Sequence, residues 1–340
     1  MAESPYGRAG RPTLEAVAEL AGVSRATASR VITGSPRVSA KSRAAVEAAV
    51  SELGYLPNLA ARSLVTQRTD AVAVVVSEPE SRVFTDPFFG AMIRGISRGL
   101  AAEGLQMLLL MVQSPEDAER AARFLTGGHV DGALMYSLHR SDPLPEVARA
   151  VGLPTAYGGR PWTNTGTELY VDADNRGGAR NAVTYLRDQG RTAVATITGP
   201  LDQFVSIDRL AGFRDVFPDT KDELIVAADF TQEGGEVAMD LLLAQAPNLD
   251  AVFCASDLMA AGALRSLRRH GREVPRDVAV VGFDDHDQVA RWTDPPLTTI
   301  HQDVELMGHE LARLLATVLR GEPTPQSLVM PTRLVVRASA

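Results

Sequence analysis

From Thr69 onward, short apolar runs alternate with amphipathic stretches. AVAVVV (71–76), QMLLLMV (106–112), GALMYS (132–137), VATIT (194–198), AVFCAS (251–256) and VAVVGF (278–283) are rich in Val, Ile and Leu. Each predicts a strand buried on both faces. The stretches 88–103, 115–127, 176–189 and 258–270 lie between them and carry apolar residues at helical spacing. Strands alternating with helices imply parallel sheets covered on both sides. Roughly 270 residues of this pattern exceed one comfortable domain. The expectation is an α/β body of two doubly wound lobes with a cleft between them.

The first 64 residues follow a different period. Thr13 can cap a helix whose apolar positions Leu14, Val17, Ala18 and Ala21 fall on one face, with Gly22 at its end. Ser24 can start a second helix at once, and two short helices joined by a tight turn form a helix-turn-helix. Its second helix would place Arg25 and Ala26 against base edges in a DNA major groove, with Arg30 one turn on. Ser39 can cap a third helix with Val46, Val50 and Leu53 inward, ended by Gly54. The stretch Pro57–Leu64 permits a helix too short to be stable alone, so it needs a partner surface. Leu64 at its end suits a wedge in a minor groove, or equally an anchor packed on the next domain.

Charge supports the division. Residues 1–64 hold eight Lys/Arg against five Asp/Glu, while the remaining 276 hold 26 against 37, within an overall charge of −8. A basic head on an acidic body fits a chain whose head alone meets a polyanion, although +3 also fits an ordinary solvated surface. No apolar run is long enough for a membrane span, and no signal-peptide core follows the first residues, so a cytoplasmic location is expected. Cys254 is the single cysteine, which excludes an internal disulfide, and neither Lys41 nor Lys221 sits in a phosphate loop.

In doubly wound sheets, ligands bind beyond the carboxyl ends of the strands. The polar and aromatic residues there are Asp86 with Phe88, Tyr136 with Ser137, Ser256 with Asp257, and Asp284 with Asp285. Each alone reads first as a helix cap or turn former; their shared position at strand ends makes them candidate ligand contacts.

The segment TLEAVAELAGVSRATASRVITGSPRVSAKSRAAVEAAVSELGYLPNLAARSL (13–64) resembles the DNA-binding head and hinge of the LacI/GalR transcriptional regulators. GREVPRDVAVVGFDD (271–285) and DPPLTTIHQDVELMGHELARLL (294–315) resemble that family's effector-binding core, itself similar to periplasmic sugar-binding proteins. DADNRGGARNAVTYLRDQG (172–190) and IDRLAGFRD (207–215) agree. The resemblance implies an N-terminal arm (1–12), a helix-turn-helix domain (13–56), a hinge helix and linker (57–68) and an effector-binding and dimerisation domain (69–340). Its N-lobe would comprise 69–171 and 300–329, and its C-lobe 172–299 and 330–340.

Carried over by position, the resemblance makes Arg25, Ala26 and Arg30 base readers and Thr27, Ser29 and Asn58 backbone-facing or supporting residues. Ala61 and Leu64 become minor-groove contacts. Two departures matter. Ala16 replaces the acid that often closes the capping box with Thr13, and Ala26 offers a base only a methyl group. Arg25 and Arg30 remain as direct readers, suited to guanine. In the body, the resemblance makes Arg209 the arginine that grips an effector and Asp284 the acid that accepts its hydroxyls. Phe230 would cover the ligand, Ser256 replaces a frequent asparagine, and Gln302 lies where the chain returns to the cleft. Phe84, Asp86 and Phe88 come from the loop after the first strand. Arg209 could instead form a brace to Asp172 or Asp174, and Trp292 could line the cleft mouth or belong to the core.

These residues suit a polyhydroxylated ring. The expected function is a repressor of operator DNA, working as a homodimer without cofactor or metal and released by a sugar. The C-terminus carries no leucine heptads that would make it a tetramer. Two rivals are weighed. His309-Glu310 opens an HExxH-like pattern, but Arg313 stands at the second ligand position, and no GxSxG or GxGxxG follows a strand, so an enzyme lacks its motif. A solute-binding protein would share the body and leave the head unexplained.

Overall fold

The computed structural model describes residues 12–32, 37–55, 68–162, 166–323 and 326–340. They fall into a first unit ending at Thr69 and a second unit running from Asp70 to Ala340. The positions Asn58, Ala61 and Leu64, with nearly all of the expected arm (1–12) and hinge (57–68), lie outside the described residues.

The first unit contains α1 (Leu14–Leu20), α2 (Arg25–Ile32) and α3 (Ala40–Leu53). Local chemistry explains their limits. Thr13 Oγ1 accepts the N–H of Ala16 at 3.2 Å, so the cap forms without an acid at that position. Gly22, at φ +62°, turns the chain between α1 and α2. Ser24 Oγ accepts the Thr27 N–H at 3.1 Å at the start of α2, and Ser39 Oγ accepts that of Ser42 at 3.2 Å at the start of α3. Val17, Ala18, Ala28, Val31, Val46 and Ala49 are buried together as a small core.

The second unit runs β1 (Ala71–Val76), α4 (Glu80–Thr85), α5 (Pro87–Ala102), β2 (Gln106–Met111), α6 (Pro115–Thr126), β3 (Gly132–Tyr136), α7 (Leu144–Ala150), β4 (Thr155–Gly158) and β5 (Leu169–Ala173). It continues α8 (Asn175–Asp188), β6 (Val194–Thr198), α9 (Phe204–Arg214), β7 (Ile225–Ala227), α10 (Gln232–Gln245), β8 (Ala251–Cys254), α11 (Asp257–Arg269), β9 (Ala279–Asp284) and α12 (Asp287–Ala290). Then follow β10 (Thr298–His301), α13 (Val304–Leu319), β11 (Leu328–Met330) and β12 (Arg333–Val335).

The strands form two six-stranded sheets, ordered β11-β5-β4-β3-β1-β2 and β12-β10-β9-β8-β6-β7. Every pair is parallel except β10 with β12. Both sheets reverse their strand order beside the first strand of the lobe, between β1 and β3 in one and between β6 and β8 in the other. Such switch points are where doubly wound sheets open a crevice.

Burial follows the two-residue period of a strand. Val72, Val74 and Val76 join the core shared with α5 and α13, while Ala71, Ala73 and Val75 join the one shared with α6 and α7. Helices α5 and α13 approach closely because glycine stands at Gly95, Gly99 and Gly308; a β-carbon there would run into Glu305, Ala312 and Met92. Thus α13, which follows a strand of the second sheet, belongs to the first lobe.

The chain crosses between the sheets three times, after Ala173, at Gln302–Asp303 and at Pro331–Thr332. The lobe limits expected at 171/172, 299/300 and 329/330 therefore fall inside β5, β10 and β11. The backbone ladder, which a hydrophobic pattern does not report, sets the crossings. The Asp174 N–H donates to Met330 O at 2.9 Å and ties two of them side by side.

Candidate DNA-reading helix and ligand cleft

On α2 the buried positions Ala28 and Val31 face the small core, while Arg25, Ala26 and Arg30 are exposed and Thr27 and Ser29 are half-buried. Residues 25, 26, 29 and 30 share one face of the helix, as their spacing requires. Arg25 Nε lies 2.7 Å from Glu15 Oε1, with both side chains more than half exposed. A surface pair of this kind contributes little and can yield to a base or phosphate. Thr27 Oγ1 shares a 2.9 Å hydrogen bond with Ser24 Oγ, which makes it part of the helix start.

The carboxyl ends of both sheets converge on a cleft of about 830 Å³ counted to its open mouth. The first lobe contributes Arg82 from α4, Asp86 and Phe88 at the start of α5, Ser137 after β3 and Arg160 after β4. The second contributes Gln203, Phe204 and Arg209 at α9, Phe230 after β7 and Asp284 at the end of β9. Gln302 lies at the crossing between them.

One hydrogen-bonded chain runs along the cleft floor. Asp172 Oδ1 accepts from Asn175 Nδ2 at 2.9 Å, and Asn175 Oδ1 accepts from Arg209 Nε at 2.9 Å. Arg209 Nη1 donates to Ala255 O at 2.5 Å and lies 3.4 Å from Asp284 Oδ1, which also accepts from Gln302 Nε2 at 2.6 Å. Arg209 thus braces neither Asp172 nor Asp174 directly: its first two nitrogens are committed, which leaves Nη2 for a ligand. Its guanidinium also stacks 3.6 Å from the Phe283 ring centroid.

Burial governs the acids. It pushes Asp172 up to about 6 and also raises Asp86, against the hydrogen bond that Asp86 accepts from the Phe88 N–H. Burial lowers the pKa of Arg209, and the charge of Asp284 opposes that. Ser137, Phe230 and Asp284 have φ of 55°, 65° and 117°. Left-handed or rarer backbone at non-glycine residues costs about 1–3 kcal/mol each and gathers at functional sites.

Seven of the twelve residues expected to touch a ligand line the cleft: Asp86, Phe88, Ser137, Arg209, Phe230, Asp284 and Gln302. Five do not. Phe84 is 67% exposed, because the turn of α4 that directs Arg82 inward directs Phe84 to solvent. Tyr136 is fully buried against Phe89, and Ser137, the next residue along, reaches the cleft instead. Ser256 caps α11, its Oγ accepting the Met259 N–H at 3.2 Å. Asp257 is fully buried, bonded to Thr299 Oγ1 at 2.5 Å and to the His286 N–H at 2.9 Å, and burial followed by the charge of Asp284 holds it well above the usual carboxylate range. Asp285 is bound by Arg337 and His301, and Trp292 is 83% exposed, neither core nor cleft. Ser256→Ala is therefore expected to lower stability by about 1 kcal/mol in a denaturant melt, the usual cost of a lost cap, and to leave ligand affinity unchanged.

The expected set lacked Arg82, Arg160, Asn175, Gln203 and Phe204. They lie in the short helix α4, in loops or at helix starts, where no hydrophobic period marks them, so only their nearness to strand ends could have pointed to them. Gly199 belongs with them: a β-carbon there would overlap the Phe230 ring. Gly199→Ala is expected to displace that ring and weaken ligand binding by about tenfold in calorimetry, the cost of a lost aromatic contact of about 1–1.5 kcal/mol.

A helix-turn-helix unit followed by a two-lobed body with a polar cleft defines a ligand-responsive DNA-binding protein. Comparison with known proteins agrees. Residues 13–58 match the family described as bacterial regulatory proteins, lacI family, and residues 183–340 match the periplasmic binding protein-like domain. HTH-type transcriptional regulator CelR of Thermobifida fusca is 49% identical over 335 residues, covering 97% of this chain and 98% of the relative. The ribose operon repressor of Escherichia coli (strain K12) is 34% identical over 336 residues, covering 96% and 99%. A transcriptional regulator CelR–cellobiose complex superposes with a TM-score of 0.78 at 46% identity, covering 97% of this chain and 100% of that one. The lac repressor dimer bound to operator and the anti-inducer ONPF superposes at 0.84 with 27% identity, covering 97% and 99%. The chain belongs to the LacI family of bacterial transcriptional regulators. Among the described residues no helix is long and apolar enough to cross a membrane.

Proposed function

We propose that this regulator acts in the cytoplasm as a homodimer that represses transcription from operator DNA and is released by a neutral oligosaccharide, cellobiose first among candidates. It reads DNA with Arg25, Ala26 and Arg30, supported by Thr27 and Ser29, and it carries out no catalysis. One observation favours a neutral ligand above others: each guanidinium in the cleft already faces a protein carboxylate. Arg82 Nη1 lies 2.6 Å from Glu78, Arg160 is held by both oxygens of Asp208 at 2.8 and 2.9 Å, and Arg209 lies 3.4 Å from Asp284. A ligand phosphate or carboxylate would have to displace one of these partners and leave it buried, which is costly. Hydroxyl groups need no such exchange: they donate to Asp284 and Asp86 and accept from Arg209 Nη2, while Phe88, Phe204 and Phe230 cover C–H faces. The relative solved with cellobiose supports the choice of sugar.

A thermal-shift series on the full chain tests this reading. Cellobiose at about 100 times its dissociation constant should add about 2.7 kcal/mol to apparent stability and raise Tm by several degrees. Glucose 6-phosphate should leave Tm unchanged. A shift with the phosphorylated sugar and none with cellobiose would refute the proposal.

A further inference from the structure

The two lobes also meet beside the cleft, around one buried acid. Glu78, 3% exposed, follows β1, and its Oε1 faces four donors: Ser137 Oγ at 2.6 Å, Arg82 Nη1 at 2.6 Å, Gln203 Nε2 at 2.8 Å and His139 Nε2 at 3.5 Å. Gln203, also 3% exposed, comes from the other lobe and lines the cleft. His139 bridges as well. Its Nδ1 lies 2.8 Å from Asp202 Oδ2 of the second lobe, and the neighbouring Arg140 N–H donates to Asp202 O at 2.9 Å. Hydrogen bonds to Glu78 first, and to Asp202 against the opposing effect of burial, raise the imidazole pKa to about 9, so the ring is a cation at neutral pH. Its Nε2 and that of Gln203 approach to 3.1 Å because both point at the same carboxylate oxygen.

These groups stand at the switch points of both sheets, after β1 and β3 on one side and after β6 on the other. The bond from Nε2 to Glu78 fixes the orientation of the Gln203 amide and leaves Oε1 as its acceptor for a ligand. We propose that Glu78 and His139 are positioning residues for the ligand: they fix the Gln203 amide so that its carbonyl oxygen accepts a ligand hydroxyl, and they latch the lobes in the arrangement that binds. Neither touches the ligand. The ligand's chemistry rests on the function proposed above; the latch does not.

The donor and acceptor of this bond can be exchanged. In the full chain, Glu78→Gln leaves two amides facing each other without the charge that gathers Arg82 and His139, and Gln203→Glu sets two buried carboxylates together. Each is expected to weaken cellobiose binding by about tenfold or more in calorimetry, since a lost hydrogen bond to a charged group is of that size. The double variant E78Q/Q203E restores an amide–carboxylate pair with its direction reversed and returns the anion to His139, so it should recover most of the loss. Losses that add would mean that the two residues act independently and not through this bond.

A second readout needs no sugar. Trp162 of the first lobe stacks on Phe204 of the second, ring centroids 4.0 Å apart, with Arg140 4.3 Å above it. In a Trp292→Phe background, acrylamide quenching of Trp162 should rise in each single variant and return toward the parent in the double. Single variants that quench and bind like the parent, or a double that loses the sum, would overturn the latch. If the parent binds no cellobiose while quenching follows the expected pattern, the sugar assignment falls and the latch stands. If cellobiose binds the parent and every variant equally, the reverse holds.

Discussion

Arg209→Met is expected to abolish the response to cellobiose, with no release of DNA at any attainable sugar concentration. Arg209 is 4% exposed and linked through Asn175 to Asp172 and directly to Asp284, so its fork is fixed before a ligand arrives. Removing it takes away the donor offered to the ligand and leaves Asp284 with Gln302 as its principal partner. Breaking a buried pair this way costs about 3–5 kcal/mol, part of which appears as lost stability. Arg209→Lys separates the two effects. It keeps the charge and most of the volume but cannot satisfy Asn175, Ala255 and a ligand together. It should fold, bind operator within about threefold of the parent, and need about 100-fold more cellobiose for release, two charge-assisted hydrogen bonds being worth that much. Calorimetry with cellobiose and anisotropy with labelled DNA check the two halves separately.

The second large effect belongs to α2. Arg25→Ala should weaken specific DNA binding by about 1–3 kcal/mol per half-site and relax the preference at one base pair, because arginine's fork recognises guanine O6 and N7. Loss of a phosphate contact would instead weaken operator and random DNA alike and reduce the salt slope. A gel-shift series on both DNAs, with salt varied, distinguishes the two roles. Equal loss on the two DNAs would remove Arg25 from the base readers.

Much of the architecture could be read from the chain because the central strands are buried on both faces and so appear as continuous apolar runs. The strands that escaped notice are short or polar: TAYG in β4, LYVDA in β5, IVA in β7, TTIH in β10, and LVM and RLV in β11 and β12. Their pairing comes from neighbours distant in sequence. The cleft was legible to within a residue or two. Strand ends pointed to Asp86, Phe88 and Asp284, but a buried strand gives no sign of which residue at its end turns outward, so Tyr136 and Ser137 read alike and only Ser137 reaches the cleft. Likewise Ser256 and Asp257 sit at a strand end and a helix start together, and capping and a buried network claim both. Trp292 drew attention as a residue of the cleft mouth or the core while Trp162 forms the interlobe stack, because an isolated tryptophan in a loop has no periodicity to place it. The Glu78–Gln203 bond joins residues 125 apart, and no local pattern reports such a contact.

The central claim is that neutral sugar in the cleft and operator DNA on the head are linked, so that each changes the affinity for the other. The direct measurement is fluorescence anisotropy of the full chain on a labelled duplex that the protein itself has enriched from a random pool, titrated with and without saturating cellobiose. The account predicts an operator affinity lowered by about 5- to 150-fold, the range of typical coupling energies. Identical curves with and without the sugar, for a protein whose calorimetry shows cellobiose bound, would contradict it.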